Sequence, residues 1–275
     1  MWEQIYKNGE LWQPTAAEVL HERAFVYADG CFETMRVVNG SIPLWRFHRA
    51  RLQQALAHLR LCIDLDLLEA EAERCAELAE SDSAVLKLIL SRAGQSRASY
   101  ALDNAACHYF SHLKAYTPNS ARRSGIHLRS ALAALPARPQ LAGLKLLERL
   151  EYSVLSAGIQ LRDNQELVFF DEREQCIETM HHNLWLLSEG RLVTPQLLKR
   201  GVSGCFRAHM LSLRSELSVE LIEAPISRQD IFSAESVAIS NATEGLLAVV
   251  ALDGRNLSLS ASMTELISRV NRVFA

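Results

Sequence analysis

Nothing in this 275-residue chain is apolar for long enough to cross a bilayer; Gly245-Leu-Leu-Ala-Val-Val-Ala-Leu252 is about a third of a membrane span. A membrane partner is therefore not expected. Charge of one sign is equally scarce: a net charge of −3 gives no electrostatic reason to expect nucleic acid or an anionic surface as a partner. The six cysteines (31, 62, 75, 107, 176 and 205) are far apart and include no Cys-x-x-Cys pair. A disulfide framework is not expected at that density, and reduced thiols in a cytoplasm are. The opening run Met1-Trp-Glu-Gln-Ile-Tyr-Lys-Asn8 lacks a basic segment followed by an apolar core, so no signal peptide is expected. There is no Gly-x-Ser-x-Gly elbow, no Walker loop and no Rossmann glycine fingerprint. No internal repeat or low-complexity tract interrupts the chain.

Histidines do not assemble a metal site on paper. His108 and His112 lie in a strand-like stretch without an intervening Glu, and the adjacent pair His181-His182 would point to opposite faces of a strand. No metal is expected. What remains is 49% hydrophobic and 22% charged residues, the profile of a globular protein large enough for one large or two medium domains.

The hydrophobic period changes several times along the chain. Cys31 to Val38 alternates as a strand does, Asn39-Gly40 is a strong hairpin signal, and Ser41 to Leu44 is the expected returning strand. From Trp45 the period becomes helical, with Trp45, Leu52, Leu56 and Leu59 on one stripe, and Leu67 to Leu78 is a second amphipathic helix. Ala84 to Leu90 and Cys107 to Leu113 read as strands flanking a polar loop. Tyr116-Thr-Pro-Asn-Ser-Ala-Arg-Arg-Ser-Gly125 has linker composition. Beyond it, Ile126 to Ser130, Glu166 to Phe170, Cys176 to Thr179, Leu184 to Leu187, Val237 to Ser240 and Leu246 to Leu252 read as strands. Helices are expected along Leu146, Leu147, Leu150, Val154 and Leu155, and from near Ser203 and Ser260. This predicts an α+β fold of two α/β domains: residues 1–115, a linker at 116–124, and a larger domain at 125–275.

Lys145 stands out, placed in Leu141-Ala-Gly-Leu-Lys-Leu-Leu-Glu-Arg-Leu150 at the expected mouth of an apolar helix. Such a lysine is commonly a snorkelling surface residue. Here Gly143 permits close backbone approach, and Leu144, Leu146 and Leu147 would desolvate the amine, favouring the neutral nucleophilic form. Glu178 closes a strand and precedes Thr179-Met-His-His-Asn-Leu-Trp185. Gly201-Val202-Ser203-Gly204 opens a helix whose free N–H groups suit a phosphate dianion, with Ser203 also able to cap it. An amine for a Schiff base, an acid for a pyridine nitrogen and a helix end for a phosphate are together what pyridoxal 5′-phosphate requires.

That order of residues resembles the fold-type IV (class IV aminotransferase) family of pyridoxal-phosphate enzymes, whose fold is D-amino-acid-aminotransferase-like. The resemblance runs from about Tyr27 to Val250. It implies that Lys145 bonds the cofactor's aldehyde carbon and shuttles protons, and that Glu178 holds the pyridine nitrogen protonated. It implies further that Arg51, in a His-x-x-Arg-Leu run, salt-links the phosphate. Val202 and Ser203 would supply one phosphate turn, and Asn241, Ala242 and Thr243 the second. Within the family, Leu-Ala-Gly-Leu-Lys-x-Leu-x-Arg-Leu looks most like the aminodeoxychorismate lyases, which release 4-aminobenzoate, a folate precursor, and pyruvate. Branched-chain and D-amino-acid aminotransferases are the alternative. Glu148 replaces an asparagine common in the lyases, and Ala28 stands where a glycine of Gly-Asp-Gly is usual. Arg92 and Arg97 carry forks suited to the substrate's two carboxylates, while Tyr27 and Phe32 would line the entrance. A small-molecule substrate and a homodimer, generally found in the family, are the implied partners.

Overall fold

A computed structural model describes residues 4–94, 100 and 104–275. Arg97 lies outside the described residues. The chain divides into two units, and it does so discontinuously: Met1–Thr117 with Leu144–Arg149, and Pro118–Gly143 with Leu150–Ala275.

The first unit comprises β1 (Ile5–Lys7), β2 (Glu10–Leu11), α1 (Ala16–His21), α2 (Arg23–Tyr27), β3 (Gly30–Val38), α3 (Trp45–Leu59), α4 (Leu65–Glu77), β4 (Ser83–Arg92) and β5 (Cys107–Ala115). Its strands form one antiparallel sheet in the order β2-β1-β5-β4-β3. Cys31, Met35 and Val37 of β3 and Leu86, Leu88 and Leu90 of β4 are buried at period two, as the alternation requires. Helix α3 packs on β3, and α4 on β4 and β5. Asn39 and Gly40 adopt φ of 48° and 73°, and Val38 and Ser41 exchange both main-chain hydrogen bonds (2.8 and 2.9 Å). The turn forms, but the returning strand does not. Pro43 has no N–H to continue a ladder, and the chain turns directly into α3. The buried face of α3 also differs from the expected stripe, because it includes His48 and Arg51 beside Leu52, Ala55 and Leu56.

The second unit comprises α5 (Ser120–Arg123), β6 (Ile126–Ser130), α6 (Leu150–Ser156), β7 (Gln165–Phe170), β8 (Cys176–Thr179), β9 (Asn183–Ser188), β10 (Arg191–Pro195), α7 (Cys205–Ser212), β11 (Glu220–Ala224), α8 (Arg228–Ser233), β12 (Ser236–Asn241), β13 (Gly245–Leu252), β14 (Arg255–Asn256) and α9 (Ala261–Val270). Its mixed sheet runs β11-β10-β9-β12-β13-β6-β7-β8, with β14 added to β13. Ile126, Val168, Leu184, Ile239 and Val249 form one side of the core, and Leu135, Tyr152, Leu167, Phe169 and Ile177 another. The architecture is α+β. Among the described residues no helix is long and apolar enough to cross a membrane.

Two boundaries differ from the sequence expectation. Residues 116–124 are not wholly irregular, because Asn119 Oδ1 accepts from the N–H of Ala121 and caps α5. Residues 144–149 belong with the first unit rather than the larger one. Main-chain pairing is the reason: Phe32 N–H donates to the Lys145 carbonyl (2.9 Å), Leu147 N–H donates to the Gly30 carbonyl (3.1 Å), and Leu146 bridges Cys31. Lys145 is thus in extended chain, not at a helix mouth. Helix α6 starts only at Leu150, and its Leu150 and Val154 are 69% and 62% exposed, so Tyr152 is the buried residue instead.

Candidate functional site

In the first unit, the β3 edge sets where Lys145 sits. Its main chain is pinned opposite residues 30–32, and a Cβ at Gly30 would collide with the Leu90 carbonyl of β4 and lie 2.9 Å from Leu147 Cδ1, so glycine is what fits between the two segments. Leu144 and Leu146 are buried on either side of the half-buried lysine. Its Nζ lies 4.4 Å from the centre of the Phe32 ring, with Lys87 Nζ at 5.1 Å from the same ring. Phe32 therefore packs against the lysine itself.

Arg51 is committed within the same unit. Its Nε and Nη2 grip Glu33 in a fork (2.7 and 2.5 Å), and His48 Nδ1 lies 2.7 Å from the same carboxylate. Burial alone would raise the Glu33 pKa, but the Arg51 guanidinium, with His48, brings it down to about 2. Burial pushes His48 down, so the neutral ring donates from Nδ1 to Glu33. One side of the Arg51 fork is therefore spent on Glu33.

A carboxyl whose folded pKa is depressed adds stability above its ordinary value of 4.5, and loses it as pH falls toward 2. Urea titrations should show roughly 3 kcal/mol of stability disappearing across that window through Glu33 alone. An acid loss equally steep in Glu33→Gln would exclude this pair as its source.

In the second unit, Glu178 lies inside β8 opposite Phe169 and is 4% exposed. Tyr152 OH donates to its Oε1 (2.6 Å) and Val202 N–H to its Oε2 (2.8 Å). A carboxylate has about four acceptor positions, so two remain. Gly201 allows this approach with φ of 92°; a Cβ there would lie 2.7 Å from Leu197 and 3.4 Å from Glu178 Oε2. Asn183 Nδ2 donates to the Val202 carbonyl (2.9 Å), and a Cβ at Gly204 would strike Asn183 Oδ1.

The 201–204 turn differs from the expectation in two respects. The Val202 N–H is spent on Glu178, so Val202 orients the acid rather than offering that donor to a phosphate. Ser203 does not cap α7. The cap is Gly204, which makes no side-chain cap hydrogen bond, while the Ser203 N–H donates to the Gly143 carbonyl (3.0 Å).

The other turn, at Asn241–Glu244, is built by its own first residue. Asn241 Oδ1 accepts from Thr243 N–H (3.0 Å), Thr243 Oγ1 (3.0 Å) and Glu244 N–H (2.7 Å). Asn241 therefore shapes the loop that presents Ala242 and Thr243, and its own carbonyl is spent inside it.

Arg92 corrects the substrate expectation. It is 1% exposed, and four of its five N–H donors go to Asp29 Oδ2 (3.0 Å) and the carbonyls of Leu59 (2.5 Å), Arg60 (3.3 Å) and Asn104 (2.9 Å). It ties strand, helix end and loop together and offers no fork to a ligand. Asp29 also accepts from Arg23 Nε (2.7 Å). Tyr27 ends α2, with its ring 4.6 Å from the Arg23 guanidinium and 5.5 Å from the Tyr100 ring. Ala28 follows in the left-handed region at φ of 51°, a conformation glycine adopts without cost.

Glu33, His48, Tyr152 and Asn183 escaped residue-by-residue reading. For Asn183 a signal existed, since it closes the same Glu-Thr-x-x-x-Asn run as Glu178. Tyr152 had none, because a helix stripe read from leucines hides the buried tyrosine. His181 and His182 fall in the bend between β8 and β9 rather than on a strand, and both rings approach Glu166 (3.0 and 3.6 Å).

The sequence profile of the class IV amino-transferases matches residues 30–252. An aminodeoxychorismate lyase from Vibrio harveyi is 25% identical over 255 residues, covering 91% of this chain and 93% of its own. A D-alanine aminotransferase from Bacillus licheniformis is 22% identical over 269 residues, covering 94% and 91%. The crystal structure of 4-amino-4-deoxychorismate lyase from Pseudomonas aeruginosa superposes with a TM-score of 0.87 at 27% identity, covering 98% of each chain.

Proposed function

Because the chain belongs to the class IV aminotransferase family, we propose that it is a pyridoxal 5′-phosphate enzyme that splits 4-amino-4-deoxychorismate into 4-aminobenzoate and pyruvate. The observation that carries the cofactor reading is the pinned Lys145, held half-buried between two buried leucines on the β3 edge.

The residues present fit the cofactor. Glu178 is a buried carboxylate oriented by two donors and left with acceptor capacity for a pyridinium N–H. Helix α7 begins without a side-chain cap, which suits an anion at its N-terminus. The Ala242 N–H would supply a further donor beside Ser203, the Thr243 donors being held by Asn241, and Arg51 would supply a guanidinium charge. When bound, pyridoxal phosphate supplies an electron sink.

The rest is the work of this chain's side chains. Lys145 Nζ would hold the cofactor covalently and, once released as a neutral amine, take the proton from the ring carbon that bears the substrate amine. The same nitrogen would return a proton to the methylene carbon as the enolpyruvyl C–O bond breaks and pyruvate leaves. Aromatisation of the remaining ring provides the thermodynamic drive, so the protein has to position and move protons. Glu178 would hold the pyridine nitrogen protonated. We place the enzyme in the cytoplasm as a homodimer, as its relatives' family implies.

The likeness to the Vibrio and Pseudomonas lyases favours elimination over amino transfer. The test is to supply purified protein with aminodeoxychorismate and no amino acceptor. Equimolar 4-aminobenzoate and pyruvate are expected. Turnover that requires 2-oxoglutarate, with branched-chain or D-amino acids as donors, would overturn the lyase reading in favour of a transaminase.

A further inference from the structure

Five titratable side chains of the second unit, Arg122, Glu166, His181, His182 and Glu244, meet around the turn that follows β12, and the chemistry above uses none of them. Arg122 of α5 donates from Nε to Glu244 Oε1 (2.8 Å) and from Nη2 to Glu166 Oε2 (3.1 Å). Glu166 Oε1 accepts the His181 N–H (2.9 Å), lies 3.0 Å from His181 Nδ1 and stands 3.6 Å from His182 Nδ1. His182, with its side chain 1% exposed, has its Nε2 2.9 Å from Glu244 Oε2, 2.7 Å from Asn241 Nδ2 and 3.5 Å from Arg122 Nη2.

The Asn241 amide cannot turn over, because its Oδ1 already holds Thr243 and Glu244 with three hydrogen bonds. Its Nδ2 must therefore face the imidazole. A single ring nitrogen cannot serve both of its near neighbours. As a lone pair, Nε2 accepts from Asn241 and leaves Glu244 facing it without a proton. As an N–H, it donates to Glu244 and meets the Asn241 amide protons. Whether Nε2 carries a proton decides which of the two bonds holds the loop, and in the neutral ring the Nδ1 that faces Glu166 (3.6 Å) is the nitrogen that keeps the proton.

We propose that His182 is a positioning residue for the Asn241–Glu244 turn, and that its protonation sets how tightly that turn holds the cofactor's phosphate. This inference rests on the cofactor reading given above. Two carboxylates and one guanidinium surround the ring, so an imidazolium balances the cluster. Burial pushes the His182 pKa down, yet Glu166 and Glu244 outweigh it and the net shift is upward from 6.5. Glu244 is correspondingly held down at about 2, with burial opposing and His182 and Arg122 prevailing. The protonated form is complete below 6.5 and is lost as pH rises through the raised value. The imidazolium also places positive charge beside a loop meant for a dianion, so phosphate binding should weaken as pH rises.

The experiment titrates pyridoxamine phosphate, which has no aldehyde to bond Lys145, into cofactor-free protein by fluorescence between about pH 7 and about pH 9.5. Its phosphate is predominantly a dianion above its second pKa of about 6. Wild-type Kd should rise about tenfold across that range, one unit of linkage being worth that factor, whereas His182→Gln should bind more weakly and without that slope. In parallel, NMR of wild-type protein should show the His182 ring titrating above 6.5, a reading that needs no variant to fold. Binding without a pH slope, an equal slope in His182→Gln, or a ring that titrates below 6.5 would each overturn the inference while leaving the cofactor reading standing. Failure to bind pyridoxamine phosphate at any pH would remove both.

Discussion

Lys145→Ala should give a folded protein that retains no covalent cofactor after borohydride treatment and turns over at least about a thousandfold more slowly, since both the covalent and the proton-transfer roles are lost. Folding should survive because the anchoring at this position is main-chain: the Lys145 carbonyl still accepts from Phe32 N–H, and Leu146 still bridges Cys31. One contribution of the side chain is a cation over the Phe32 ring, worth about 0.5–1 kcal/mol at a partly exposed site. A thermal melt and peptide mass mapping of the reduced protein separate the two effects. Trapped cofactor on another lysine of the wild-type protein, or undiminished turnover in the variant, would overturn the assignment.

Glu178→Gln should cost about a hundred- to a thousandfold in turnover, the scale seen when one aligned electrostatic partner of a reacting system is removed. The substitution keeps the shape but not the charge. An amide gives the pyridine nitrogen no carboxylate, so the ring loses its reason to stay protonated. It also offers one oxygen where Tyr152 OH and Val202 N–H now use two. One buried donor would be left facing an NH2 group, at about 1–3 kcal/mol. Denaturant titration should show that loss alongside the kinetic one. Stability lost with turnover unchanged would make Glu178 a structural residue and remove it from the chemistry.

These two residues could be singled out before any coordinates because they lie in short local runs. Leu-Ala-Gly-Leu-Lys and Glu-Thr-x-x-x-Asn-Leu-Trp each carry several constrained positions within one turn or strand. Most strands were legible for a similar reason: period-two alternation on β3 and β4 is a property of neighbours in sequence. Arg92 shows where such reading stops. An arginine at the end of a strand has the same appearance whether its fork reaches a ligand or three carbonyls from elsewhere in the fold, and those carbonyls, of Leu59, Arg60 and Asn104, come from a helix end and a loop. The returning strand after Asn39-Gly40 fails for a related reason. The turn is local and forms, but pairing beyond it needs a donor that Pro43 lacks.

Composition and pattern alone determined that this is an α+β chain, since helix period, strand alternation and turn chemistry act between residues close in sequence, and the resemblance of its short motifs to the class IV family pointed to which lysine and which glutamate to look at first. Tertiary structure alone decided that Lys145 is extended and pinned to β3, that Tyr152 and Val202 orient Glu178, and that Arg51 is shared with Glu33. Each of those depends on where a hydrogen-bond donor finds its acceptor across tens of residues, and the energy of such a bond is set by distance and burial, neither of which the order of residues records.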